Sequence, residues 1–143
     1  MKILLHASLD FASEMYSVKN HLEELTSSIV ILPDMQRYQH IRDEYGDDEK
    51  FTKIKNRLTF ENIKNVEKCD CLFVLNYSHR GFKNYIGGNS FLEMVIAFYL
   101  KKPIYILNPI PEGMTYSEEI KSLYPTVVYS IDKFAELIEK SIL

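Results

Sequence analysis

Five short stretches of the chain are apolar almost throughout, and polar or amphipathic segments separate them. They read "KILLH" (2–6), "SIVILP" (28–33), "CLFVLNY" (71–77), "PIYIL" (103–107) and "TVVYS" (126–130). Apolar runs of this length, bounded by Gly, Pro or Asn, are the mark of buried strands. The segments between them carry a helical period. Over 10–25 the apolar positions are Phe11, Met15, Val18, Leu22 and Leu25, with Asp10 placed to cap the start. Over 51–69 they are Ile54, Leu58, Ile63 and Val66. Helices are also predicted over 89–102, 117–124 and 131–143. Residues 34–50, "DMQRYQHIRDEYGDDEK", show no clear period and read as a long polar loop, a type that is often functional or mobile.

Strand and helix thus alternate through the whole chain. Strands apolar on both faces, each followed by a helix, predict a parallel sheet covered on both sides. Five such units in 143 residues suit one α/β domain spanning 1–143. The expected architecture is a flavodoxin-like, doubly wound five-stranded parallel sheet of order 2-1-3-4-5. No repeat or linker interrupts it.

Composition narrows the functional classes. The chain is 46% hydrophobic and 26% charged, as in ordinary globular proteins, with net charge -3. No Lys/Arg run marks a nucleic-acid tract, so DNA and RNA are not expected partners. The leading apolar run, Ile3 to Leu5, is too short for a signal peptide, and no segment is long enough to span a membrane, so a cytoplasmic location is expected. Cys69 and Cys71 form C-x-C at the entry to a strand, where alternation would put them on one face as buried structural thiols. The four histidines are scattered and suggest no metal site.

In a sheet of this order, ligands bind beyond the carboxyl ends of the strands, at the switch between strands 1 and 3. The loops there are "HASLD" (6–10) and "NYSHRGFKNYIGGNS" (76–90), with "NPIPEGM" (108–114) on the same edge. Gly87, Gly88, Asn89 and Ser90 open a helix, where free amides and a partial positive charge suit a phosphate or another anion. Glu93 follows, an isolated carboxylate on an apolar helix. Two readings stand. Ser90-x-x-Glu93 matches a capping box, in which the Glu merely reaches back to the first amide. Alternatively Asn89 caps the helix, and Glu93 is a buried acid with a use. Ser8 either binds a ligand or caps the first helix. Asn76 and Tyr77 end the third strand at the cleft. Tyr16 and Tyr85 offer rings for stacking, against a background of ten tyrosines. Asp70, at the far end of the third strand, reads as structural.

The stretches "HAS", "CDCLFVLN" and "GGNSFLEMVIAFYLKKPIYIL" together resemble the nucleoside 2-deoxyribosyltransferase superfamily, which includes the 2'-deoxynucleoside 5'-monophosphate N-glycosidases. The similarity covers nearly the whole chain. The last stretch resembles the family's G-(S/T)-x-x-E-x-G-x-A-x-x-x-x-K-P pattern, with Ala97, Lys102 and Pro103 in register. The resemblance implies a nucleophilic role for Glu93, attacking C1' of the sugar as the C1'–N bond opens. Three positions depart from the pattern. Val95 replaces a Gly after the Glu, Ala7 replaces the Gly before Ser8, and Asn62 falls where the family carries its acid/base Asp. Either Glu61, beside Asn62, or an unidentified group then substitutes as the acid, or the reaction needs less acid help. A weaker similarity links "GGNSFLE" to nucleotide-cleaving phosphoribohydrolases, whose loop is one residue longer and has a Thr.

The resemblance therefore predicts cleavage or transfer at the N-glycosidic bond of a nucleoside or nucleoside 5'-monophosphate, with no cofactor. Ser8, Asn76, Tyr77 and 87–90 would bind the substrate. The family often builds its site across a dimer, which implies a homo-oligomer. The alternative, raised by Asn62, is a module that binds or senses nucleotides without turning them over. Flavin binding is disfavoured by "HASLDFAS", which lacks a Thr/Ser-rich phosphate loop. A receiver domain is disfavoured by Asn76, which stands where that fold carries its phosphorylated Asp.

Overall fold

A computed structural model describes residues 1–45 and 49–142. Its five strands are β1 (Lys2–His6), β2 (Ile29–Ile31), β3 (Cys71–Val74), β4 (Ile104–Ile106) and β5 (Thr126–Val127). They form one sheet of order β2-β1-β3-β4-β5, and every pairing is parallel. The expected order 2-1-3-4-5 is the observed one. Six α-helices connect and follow the strands: α1 (Ala12–Leu25), α2 (Met35–Tyr45), α3 (Glu49–Lys68), α4 (Gly88–Tyr99), α5 (Ser117–Ser122) and α6 (Ile131–Ile142). A 3-10 turn, Leu9–Phe11, precedes α1.

Alternation along each strand feeds two cores. Ile3 and Leu5 of β1 and Phe73 of β3 pack with Met15, Leu22 and Phe134, beneath α1 and α6. Leu4, Leu72, Val74 and Ile106 point the other way and pack with Val66, Met94 and Ala97, beneath α3 and α4. A small third cluster of Ile41, Phe51 and Leu58 joins α2 to α3.

The expected loop over 34–50 is largely a helix; its residues 46–48 lie outside the described residues. Asp34, just after Pro33, accepts the amide of Arg37 at 3.1 Å and so starts α2. Met35, Tyr38, Ile41 and Tyr45 then recur every three or four residues; Met35 packs into the core beneath α1 and α6, and the other three face the third cluster. Two of those four are tyrosines in a very polar background, which masked the stripe. Asp10 does not cap α1. It lies inside the 3-10 turn, Phe11 holds the cap position, and the Asp10 carboxylate meets His79 instead.

The two cysteines also differ from expectation. Cys69 packs in the α3/α4 core and Cys71 in the opposite one. Alternation begins only at Cys71, because Cys69 still belongs to the end of α3, its amide reaching Asn65 and Val66 carbonyls. Both are free and buried, and burial pushes their thiols up, to about 11 for Cys69 and about 12 for Cys71.

At this end of the sheet the charges are closely answered. Lys102 places its ammonium against the carbonyls of Val66, Glu67 and Cys69, closing the carboxyl end of α3. Asp70, as expected, is structural: its carboxylate accepts the Lys2 amide at 2.6 Å, and its own amide donates to the Lys2 carbonyl.

Candidate functional site

At the carboxyl end of the sheet, β1 runs out through His6, Ala7 and Ser8, and α4 begins opposite. Gly87 is the N-cap of α4, and Gly88 its first residue. Ser90 and Glu93 are therefore the third and sixth residues of the helix, and neither of the two capping assignments applies. A Cβ on Gly87 would come within 3.3 Å of the Tyr85 ring, so the bare backbone lets that ring lie against the helix start.

Freed from capping, Ser90 and Glu93 both turn to His6. Ser90 Oγ lies 2.7 Å from His6 Nδ1, and Glu93 Oε1 lies 3.5 Å from His6 Nε2. All three residues are buried, Glu93 to 3% exposure. Its second oxygen, Oε2, has no hydrogen-bond partner. Burial raises the Glu93 carboxyl well above the usual carboxylate range and lowers His6 from 6.5 to about 4. At neutral pH His6 is thus a neutral imidazole, and the contact is not one between two ions.

A cavity of about 430 Å³ opens above this group. Its size falls within the range of small-molecule sites. His6, Ser8, Gly87, Gly88, Asn89 and Ser90 line one side. Tyr38, Gln39 and Arg42 from α2, Lys55 from α3, and Arg80 and Tyr85 from the loop after β3 line the rest. Among the described residues, three cationic side chains therefore face the cavity against one carboxylate, Asp10, and that carboxylate lies 2.7 Å from His79 Nε2. The balance favours an anionic ligand. Arg80 has φ 52, a left-handed conformation costly for a residue with a Cβ, and its guanidinium lies 6.0 Å from the centre of the Tyr85 ring. A smaller recess of about 60 Å³ adjoins the cavity and shares His6, Tyr38 and Asn89 with it; Asn62, Asn65 and Glu61 complete much of its wall.

The residues singled out in the sequence are thus divided. Ser8, Gly87, Gly88, Asn89 and Ser90 line the cavity. Ser8 makes no side-chain cap, so its hydroxyl is not occupied by the turn it precedes. Glu93 lies behind His6 and is not part of either cavity wall. Asn76 and Tyr77 lie away from the ligand side. Asn76 is fully buried: its amide nitrogen donates to the carbonyls of Asn108 and Pro109, and its amide oxygen accepts the Asn108 amide at 2.8 Å. Tyr77 packs on Phe11, with ring centres 5.0 Å apart. Glu61 stands at the rim of the recess, gripped by Arg37 through two contacts of 3.1 and 3.2 Å. Tyr85 lines the cavity, and Tyr16 does not.

Sequence reasoning missed His6, Tyr38, Arg42, Lys55 and Arg80. His6 carried a usable signal, since a polar side chain ending an apolar parallel strand sits where this sheet binds ligands. Tyr38 and Arg42 were hidden with the helix that carries them.

Among the described residues, no group of His, Cys, Asp and Glu is arranged to hold a metal ion, and no helix is long and apolar enough to cross a membrane. No protein-family model matches the chain, and comparison with curated proteins gave no match.

Proposed function

We propose that this protein cleaves or transfers at the N-glycosidic bond of a nucleoside or nucleoside 5'-monophosphate, with Glu93 as the nucleophile. One observation carries the reading: Glu93 is a buried carboxyl with no capping role and an unpartnered oxygen, directly behind the wall of a cationic cavity. Keeping such a group is costly unless it is used. The likeness of "GGNSFLEMVIAFYLKKP" to the deoxyribosyltransferase pattern points the same way. In this reading a phosphate lies against the α4 amides and the cations of the cavity. Tyr38 or Tyr85 offers a ring to the base. The Glu93 carboxylate bonds to C1' as the base departs, and water or a second base resolves the glycosyl ester. Nucleotides of this kind suit a cytoplasmic location.

The test is incubation with a panel of ribo- and deoxynucleosides and their 5'-monophosphates, followed by chromatography, with Glu93→Gln alongside. Free base from the wild type alone is the expected result. Base from neither protein would sink the reading.

A second reading, a binding or sensing module, is favoured by the position of Glu93 behind His6 and outside the cavity wall. It predicts ligand-dependent thermal stabilisation without base release. Association with a second copy is also proposed, supported by Leu92, Val95 and Tyr99, which leave one apolar face of α4 exposed. Sedimentation at two concentrations tests it, and a strict monomer would refute it.

A further inference from the structure

The large cavity and the small recess beside it have opposite polarity. The cavity gathers Arg42, Lys55 and Arg80. Among the described residues no Lys or Arg lines the recess, and the charged groups at its wall are Asp34 and Glu61. Arg37 pairs with Glu61, but from outside that wall. His6 borders the recess as a neutral imidazole, lowered by burial to about 4.

The other polar groups of the recess are amides. Leu58, Glu61, Asn62 and Asn65 recur at helical spacing, so one face of α3 carries Asn62 and Asn65 to it, and the start of α4 brings Asn89. All three asparagines are half-buried, and among the described residues their side-chain amides have no hydrogen-bond partner. Asn76, by contrast, spends its amide on a neighbouring loop. The volume of about 60 Å³ suits the edge of a ring with its substituent, not a whole ring. Tyr38 lines both spaces, so a flat ring stacked on it in the cavity has the recess at its edge.

We propose that the recess reads the edge of the base, and that it selects a base bearing an amino group, as adenine and cytosine do, over its oxo counterpart. The proposal rests on a nucleoside or nucleotide occupying the cavity, which the cleavage and sensing readings share.

The selection follows from hydrogen-bond chemistry. Adenine and cytosine present an exocyclic N–H donor beside a ring-nitrogen acceptor. An asparagine amide meets both at once, its oxygen accepting and its nitrogen donating. Hypoxanthine and uracil present a carbonyl beside a ring N–H. An amide can turn to match that pair, but Asp34 and Glu61 cannot, because a carboxylate only accepts and repels a carbonyl oxygen. The donor-bearing edge therefore belongs in the recess, while the cations of the cavity hold the phosphate at the other end of the ligand. Asn62, at the position where the resemblance puts an acid, serves binding here and needs no titratable proton.

The test is calorimetric titration of the full chain with adenosine, inosine, cytidine and uridine 5'-monophosphates, ribo and deoxy. Glu93→Gln, which the cleavage reading makes inert, is titrated beside wild type. Within each amino/oxo pair the amino member should bind about tenfold more tightly or better, the scale of one good amide–base contact. Asn62→Leu and Asn65→Leu should each narrow that gap to about threefold or less, as the contact is lost. The gain of adenosine 5'-monophosphate over adenosine should stay unchanged in both variants. Equal affinity within the wild-type pairs, or tighter binding of the oxo member, overturns the proposal whatever the variants do. A preference that survives both variants in full places base selection elsewhere and also overturns it. Binding of none of the four removes the recess and both nucleotide readings together. The expected preference without any base release would remove the cleavage reading alone and leave the recess standing.

Discussion

The two ends of this sheet treat charge in opposite ways. At the amino end, Lys102 is spent on three carbonyls of α3, and Asp70 is spent on the backbone of Lys2. At the carboxyl end, Glu93 is buried where Asp70 is exposed, and it has one oxygen without a partner and only an imidazole at 3.5 Å from the other. Asp70 and Glu93 are both carboxyl groups close to the sheet. One is exposed and tied into the backbone, and the other is buried, its carboxyl raised by that burial, with one oxygen left unpartnered. That difference separates a structural acid from a candidate reactive one more clearly than any motif does.

The contrast can be broken most decisively at Glu93. Glu93→Gln keeps the shape and removes the nucleophile, so base release should fall by on the order of 10³-fold or more, the scale on which lost nucleophiles are read. Undiminished release would place Glu93 with Asp70 as a structural group. Asn76→Ala sharpens the contrast within the carboxyl end itself. It strands two carbonyls and one amide, and chemical denaturation should show a loss of about 3 kcal/mol. Lys102→Met acts at the amino end and should cost about 2 kcal/mol of stability while leaving base release unchanged. A fall in activity at intact fold would mean that the two ends are not independent.

The smallest effect is a slope. Glu93 has a raised folded value, so its contribution is complete below 4.5, the value when unfolded, and is lost as pH rises above it. His6 has a lowered folded value, so its contribution is complete above 6.5 and is lost as pH falls toward about 4. The two slopes oppose each other wherever the pH lies above 4.5 and below both 6.5 and the raised folded value of Glu93. The Glu93 decline is about 1.4 kcal/mol per pH unit and ends at that folded value. Denaturation curves of Glu93→Gln should lack that decline, and an identical decline in both proteins would show that burial does not raise the Glu93 carboxyl.

The sheet was legible because buried parallel strands are apolar on both faces, and nothing else in the chain looks like them. Strand order followed from the same pattern. The site was legible only along one edge. Gly87 to Ser90 announced a helix start, but the capping-box pattern at Ser90 misled, because it counts residues from a cap that lies three positions earlier, at Gly87. The opposite wall belongs to α2, whose inward stripe mixes Met35 and Ile41 with Tyr38 and Tyr45. Periodicity weighted by hydropathy undercounts tyrosine, so that helix and its Arg42 were lost together. Asn76 shows a further limit. It is a polar residue ending a strand at the right edge, yet its amide is consumed by Asn108 and Pro109. Nothing local in the sequence distinguishes an amide that grips a ligand from one that grips a neighbouring loop.

That grip has an evolutionary consequence. Asn76 ties the exit of β3 to the exit of β4, while the turn beyond it closes on itself through His79 and Phe82 and rejoins Tyr77 at Tyr85. The turn that carries Arg80 is therefore held chiefly at its two ends and, through His79, at Asp10. Between those ties its sequence can drift and reshape the cavity rim without disturbing the buried group beneath. A library confined to 78–84 is the natural place to retune this scaffold's selectivity.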